Sequence, residues 1–86
     1  MKNVKLFYLN HCPFCKKAIS YIEQLKAQYA ELACVEIEMI EESEQADVAD
    51  KFDYYYVPTF YVDGEKVHEG GIYPEEVEAI LRKVIE

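Results

Sequence analysis

Hydrophobic positions follow two different rhythms along this chain, and their order predicts its elements. Residues Val4-Lys5-Leu6-Phe7-Tyr8-Leu9 form an apolar run with one charge, ending at Asn10-His11, and predict a buried first strand over residues 4–9. Ala18, Ile22, Leu25 and Tyr29 then recur at helical spacing to about residue 31, with Pro13 in what would be the first turn. Proline suits that place, because its missing N–H would have no partner there and its fixed φ is already helical. Cys12 falls at the N-cap. Val35, Ile37 and Met39 alternate with Glu36 and Glu38, the pattern of a strand with one apolar face, with Cys34 on its more polar face.

Residues 43–52 read as a short second helix with Val48, Ala49 and Phe52 inward. Val57-Pro58 leads into Thr59-Phe60-Tyr61-Val62, the turn dipeptide Asp63-Gly64, and residues 65–69, which together spell a hairpin. A proline just before the first strand of a hairpin belongs at an edge, a strand start or a special peptide bond. Gly70-Gly71 breaks the hairpin, and Pro74-Glu75-Glu76 opens a last helix with Val77, Ile80, Leu81, Val84 and Ile85 on one face. The order is β-α-β-α-β-β-α, an α/β arrangement in a single domain over residues 1–86, without repeats, linkers or low-complexity segments.

At 86 residues the chain can build one core, burying about 60% of its unfolded surface. Its apolar runs are too short to span a bilayer and no cleavable signal pattern opens it, so a cytoplasmic protein is expected. The net charge of −8 argues against nucleic acid and anionic membrane as partners, since both need a positive footprint. Glu36, Glu38, Glu41, Glu42, Glu44, Asp47 and Asp50 form one acidic block, read as a solvated strand edge and helix face rather than a docking patch. Three cysteines are too few for a disulfide scaffold, so the close pair Cys12 and Cys15 is catalytic or metal-binding, and Cys34 is a small strand residue.

Residues i and i+3 of a first helical turn lie about 5–6 Å apart, inside the Cα separation of roughly 4.4–6.8 Å that a disulfide tolerates. A sulfur at the N-cap accepts hydrogen bonds from the free N–H groups of the first turn and meets the positive end of the helix dipole. Both favour the thiolate, the attacking form. The chain's acidity opposes this weakly, because exposed charges beyond a Debye length of about 8 Å are screened. Lys16 and Lys17 follow the pair as solvated side chains, and His11 precedes it as an exposed loop histidine able to tune proton transfer. Cys12 is thus the expected nucleophile toward a substrate disulfide, and Cys15 the thiol that resolves the mixed disulfide.

A Cys-x-x-Cys pair at the first helix, Val-Pro-Thr before the third strand and this element order resemble the thioredoxin superfamily over nearly the whole chain. Cys12-Pro13-Phe14-Cys15 followed by Lys16-Lys17-Ala18 is similar to the Cys-Pro-Tyr-Cys of glutaredoxins, whereas thioredoxins usually carry Gly-Pro between the cysteines. Residues 48–60 and the Asp63-Gly64 turn resemble a small thioredoxin of archaeal and bacterial kind. The resemblance implies a thioredoxin fold, a four-stranded mixed sheet flanked by helices. It implies that Pro58 is cis and catalytic, facing the cysteine pair, with the backbone of Val57 pairing to an extended substrate. Pro13, Phe14 and Tyr56, beside Tyr54 and Tyr55, would rim a substrate groove, and the N–H groups near Gly71 and Ile72 would complete it.

No bound cofactor or metal is implied. Electrons would come from glutathione or a flavoprotein thioredoxin reductase, and a monomer would act on protein disulfides, with glutathione as the alternative substrate. Three positions depart from the glutathione-binding pattern: Leu9 replaces the usual Lys or Arg, Tyr56 the usual Thr, and Ile72-Tyr73-Pro74 lacks the acidic residue after the glycine pair. Weak activity with glutathione and better activity on protein disulfides is therefore expected. An iron–sulfur or metal-binding redox module is the reading from another class; it normally needs four ligands where this chain offers one close pair.

Overall fold

The computed structural model describes every residue from Met1 to Glu86. The strands are β1 (Val4–Tyr8), β2 (Glu38–Glu41), β3 (Thr59–Val62) and β4 (Glu65–Glu69). The helices are α1 (Pro13–Gln28), α2 (Ala46–Ala49) and α3 (Pro74–Ile85), with a 3₁₀ turn at Ala30–Leu32. One mixed sheet runs in the order β2-β1-β3-β4. β1 is parallel to β2, with Phe7 opposite Ile40, and antiparallel to β3, with Leu6 opposite Phe60. This is the expected four-stranded mixed sheet with helices on both faces. No helix is long and apolar enough to cross a membrane.

Side chains alternate across the two central strands, so each face acquires its own core. Val4, Leu6, Phe60 and Val62 point to the side covered by α1 and α3, where they meet Ala18, Ile22, Leu25, Val77, Ile80, Leu81 and Val84. Phe7 and Tyr61 point to the opposite side and pack with Ile40, Ala49, Phe52 and Tyr54. There the Phe7 ring lies 4.8 Å from that of Phe52 and 4.9 Å from that of Tyr54. Both β1 and β3 are therefore shielded on two faces, the condition under which strands read as apolar runs.

Several boundaries differ from the expectation. α1 stops at Gln28 because Tyr29 turns extended, and the following 3₁₀ turn buries Leu32, which the helical periodicity omits. Cys34 is an exposed turn residue rather than part of a strand. β2 starts only at Glu38, where the chain first reaches β1 opposite Lys5. Val35 is buried before the ladder begins, Met39 is exposed at the sheet edge, and the inward residue toward α2 is Ile40. α2 is a single turn rather than residues 43–52, because the N–H groups of Ser43 and Glu44 are held by the Glu41 carboxylate in a turn. Val48, Ala49 and Phe52 nevertheless pack inward as their spacing indicates.

The hairpin falls at the residues the sequence marks. Asp63 and Gly64 have φ of 50° and 80°, so both turn residues are left-handed, the requirement of a type I′ turn. The last helix also starts at Pro74, where the Glu76 side chain accepts from the Tyr73 N–H at 3.0 Å. Phe60 is fully buried between the two central strands and the two long helices. Phe60→Ala should cost about 3–5 kcal/mol in urea unfolding; a loss below about 1 kcal/mol would show that this aryl group is not central to the core.

Candidate active site

The chain leaves β1 at Tyr8, and a tight turn over Leu9, Asn10 and His11, closed by Cys12 N–H to Leu9 C=O at 3.2 Å, delivers Cys12 to the start of α1. Cys12 is the N-cap, extended at φ −90° and ψ 117°, with Pro13 at the first helical position. Its carbonyl accepts the first intrahelical bond from Lys16 N–H at 3.0 Å, while its sulfur accepts the Cys15 N–H at 3.3 Å. That sulfur occupies the place of a capping oxygen.

The two thiols stand in different surroundings. Cys12 is half-buried, open to an incoming disulfide, whereas Cys15 is fully buried. Burial pushes the Cys15 thiol up to about 12, and its hydrogen bond to Cys12 and the charges of Cys12 and Glu42 act in the same direction. A backbone hydrogen bond at Leu9 opposes them. Cys15 is therefore held as a neutral thiol while Cys12 carries the capping bond. Both thiols are free.

Across from Cys12 lies the loop before β3. The Val57-Pro58 peptide bond is cis, as expected, and Pro58 is buried. The Cys12 sulfur is 3.9 Å from the Val57 carbonyl oxygen. Val57 makes no backbone–backbone hydrogen bond: its N–H is unpaired, and its carbonyl meets only the Cys12 thiol.

Of the remaining expected residues, Phe14, Gly71 and Ile72 line one of two shallow clefts, Cys12 lines the other, and Pro13 and Tyr56 line neither. One, of about 230 Å³, is lined by Phe14, Lys17, Tyr21, Gly71, Ile72 and Tyr73. A Cβ added at Gly71 would lie 3.4 Å from the Phe14 ring, an ordinary contact with an exposed side chain. The other, of about 340 Å³, is lined by Leu9, Asn10, His11, Cys12, Glu41 and Ser43. Pro13 is exposed at the helix start, and Phe14, at 58% exposure, stands out beside it. Tyr56 projects from the proline loop, whereas Tyr54 is turned inward and donates to Glu42 Oε1 at 2.7 Å. No group of three or more His, Cys, Asp or Glu side chains comes together as a metal site.

Glu41 corrects the reading of the acidic block as a solvated face. It is 4% exposed and sits at the end of β2 beside the turn that carries Cys12. One carboxylate oxygen accepts Asn10 N–H at 2.9 Å; the other accepts Ser43 N–H at 2.7 Å, the Ser43 hydroxyl, and Glu44 N–H at 3.1 Å. These bonds, led by the Ser43 hydroxyl and Asn10 N–H, lower its carboxyl to about 2 against the pull of desolvation. The sequence held one clue, a serine two residues after a glutamate at a strand end, but nothing singled it out among seven acids.

Two outcomes follow. With Cys34→Ser removing the exposed thiol, iodoacetamide near pH 7 should modify Cys12 and leave Cys15 untouched, since a thiol at about 12 is thiolate in only about one molecule in 10⁵. Rapid labelling of Cys15 would reverse the two roles. Glu41, lowered from about 4.5 to about 2, stabilises the fold above its unfolded value, and that contribution is lost as pH falls through its folded value. Acid unfolding between those limits should take up about one proton fewer in Glu41→Gln; an unchanged pH dependence would mean the carboxylate is not held as described.

With the geometry described, known proteins offer comparison. The family profile described as Glutaredoxin matches residues 4–67, a span that holds Cys12, Cys15 and the proline loop. No curated protein matches the chain at a significant level. Among solved structures, the thioredoxin of Malassezia sympodialis superposes with a TM-score of 0.76 at 20% identity, covering 99% of this chain and 76% of its own. The oxidised mitochondrial thioredoxin 3 of Saccharomyces cerevisiae gives 0.72 at 25% identity, with 95% and 77% covered. A thioredoxin variant from Halobacterium salinarum gives 0.71 at 22% identity, with 99% and 75% covered. These likenesses fix the fold as that of thioredoxin, and the profile match over most of the chain places it in the glutaredoxin family.

Proposed function

We propose that this protein is a thiol-disulfide oxidoreductase that reduces disulfides by dithiol exchange, with Cys12 as nucleophile and Cys15 as resolving thiol. The observation that carries the reading is the asymmetry of the pair: a half-buried sulfur capping a helix, three residues from a fully buried thiol pushed up to about 12. The Cys12 thiolate attacks one sulfur of the substrate disulfide, forming a mixed disulfide and expelling the other sulfur as a thiolate. The Cys15 thiol then gives up its proton to a departing substrate thiolate and attacks the Cys12 sulfur. A Cys12–Cys15 disulfide forms, and the substrate leaves with two electrons. Burial, the main influence that keeps Cys15 protonated, persists in the mixed disulfide, while the Cys12 hydrogen bond and charge are lost, so Cys15 gives up its proton more readily at the second step than in the free pair.

Extended protein disulfides are the favoured substrates. The Val57 backbone, without a backbone partner and held only by the weak Cys12 thiol bond, suits an added strand, and the exposed rings of Phe14 and Tyr56 supply apolar contact beside it. The second reading, a glutathione-dependent enzyme acting on glutathionylated substrates, draws support from the family match and from the cleft at Phe14, Gly71 and Ile72. Against it stands uncharged Leu9 in the second cleft, together with Tyr56 and Pro74 at the other two departures. A free tripeptide depends on few charge-assisted hydrogen bonds, and losing a cationic partner for its carboxylate weakens binding by roughly tenfold or more. The reductant is glutathione or a flavoprotein thioredoxin reductase, and the protein acts as a monomer in the cytoplasm.

Cys12→Ser should abolish turnover, and Cys15→Ser should trap mixed disulfides with protein substrates while retaining activity toward glutathionylated ones. Parental rates of insulin reduction by Cys15→Ser would remove the resolving role. The substrate preference is tested by kcat/KM for insulin and for a glutathione mixed disulfide under matched conditions, each with glutathione plus its reductase and with thioredoxin reductase. Insulin is expected to be the better substrate, and a clear preference for the glutathione substrate would overturn that order.

A further inference from the structure

The loop that joins α2 to β3 carries Val57, yet little apolar burial fixes the residues just before it: Tyr55 and Tyr56 are 87% and 71% exposed. One charged group does fix them. Oε2 of Glu69, the last residue of β4, accepts the N–H groups of both Tyr55 and Tyr56, the latter at 2.9 Å. Its Oε1 accepts Lys66 Nζ at 2.8 Å, and that ammonium also donates to Asp53 C=O at 3.2 Å. The Tyr61 hydroxyl donates to the same carbonyl at 2.7 Å, and the Thr59 hydroxyl to Tyr56 C=O. The stretch from Asp53 to Tyr56 is thus held to the hairpin by polar bonds, and Val57 is the first residue beyond them.

A defect in the sheet makes this possible. On a regular strand, residues three apart point to opposite faces, which would separate Lys66 from Glu69. In β4 the pairing slips: Lys66 lies opposite Tyr61 but His68 opposite Phe60, leaving Val67 as an extra residue. Val67 packs against the core under α1 and α3, while Lys66 and Glu69 both face the α2 side, opposite Tyr61 and Thr59. The bulge brings the cation and the carboxylate together on the face where the loop crosses.

We infer that Glu69 is a positioning residue of the active site, holding Tyr55 and Tyr56 so that the Val57 backbone faces Cys12 and can receive an extended substrate strand. Hydrogen bonds to an ionised acceptor are roughly twice as strong as neutral ones, and here two donors converge on one oxygen. The Lys66 ammonium first, then the two N–H groups, lower the Glu69 carboxyl to about 2, so the clamp remains charged at any pH at which thiol exchange runs.

The inference rests on the protein-disulfide reading, and its test separates the two. Steady-state insulin reduction with a fixed reductant is compared across the parent, Glu69→Ala, Glu69→Gln and Glu69→Asp, alongside reduction of hydroxyethyl disulfide, which is too small to pair as a strand. Loss of the clamp should raise KM for insulin about fivefold or more, in Glu69→Ala and in Glu69→Asp, whose shorter arm keeps the charge but not the reach. Turnover of the small disulfide should stay at the parental value. Glu69→Gln keeps one acceptor oxygen without the charge and should fall between the parent and Glu69→Ala. Equal KM across the set, equal defects in Ala and Gln, or parallel loss with the small disulfide would overturn the positioning role. Amide exchange read on the folded Asp variant adds a measurement free of turnover: faster exchange at Tyr55 and Tyr56 is expected, and unchanged exchange refutes the clamp. A parent that leaves insulin unreduced refutes the protein-disulfide reading itself.

Discussion

Everything in this molecule hangs on the need to keep the paired strands β1 and β3 dry on both faces. Leu6 and Phe7 are neighbours in sequence and both fully buried, one under α1 and α3 and the other under the α2 loop. A sheet two-sided in this way leaves its strand ends as the places where the backbone can meet solvent. β1 ends at Tyr8, and four residues later the chain enters a helix. Cys12 sits at that exit, where free N–H groups are available and the low-dielectric core begins one turn away. Cys12 and Cys15 therefore differ not through their own chemistry but through the 5 Å or so that a helical turn places between rim and interior.

The second constraint is that loops meeting at such an exit have no ladder to fix them. Two carboxylates substitute for one. Glu41 gathers the N–H groups of Asn10, Ser43 and Glu44 on the side of Cys12. Glu69 gathers those of Tyr55 and Tyr56 on the side of the proline loop. The excess of acid in the chain thus includes groups whose charge is used internally, against main-chain donors, as well as groups that face water.

The sequence revealed the fold wherever periodicity was long or turn chemistry was specific. The helical stripe from Ala18 to Leu25, the Asp63-Gly64 turn and the Pro74 helix start all lie where their residues indicate. The Cys12 N-cap was legible because Pro13 fixes the first helical position. The failures share one cause, tertiary context overriding local pattern. The alternation at Val35, Ile37 and Met39 began before a partner strand was in reach, so the ladder started three residues late. The second helix shrank because a carboxylate took the N–H groups of its expected first residues. At the site, cysteines and the Val-Pro pair announce themselves by type. Glu41 and Glu69 do not, since their importance comes from where a bulge and a strand end aim them.

The same bulge has a bearing on the outer border of the sheet. β4 is one of its two free edges, and an unbroken edge of unpaired N–H and C=O groups is a template on which another chain can add itself. The extra residue at Val67 interrupts that register midway, and Glu65, Lys66 and Glu69 furnish it with charge. At the other border β2 is only four residues long, begins with Glu38 paired to Lys5 at 3.4 Å, and ends with Glu41 turned in to its own backbone partners. Both borders of the sheet are thus poor hosts for a foreign strand, which leaves the Val57 N–H beside Cys12, outside any ladder, as the place where the proposed strand addition would meet no such obstacle.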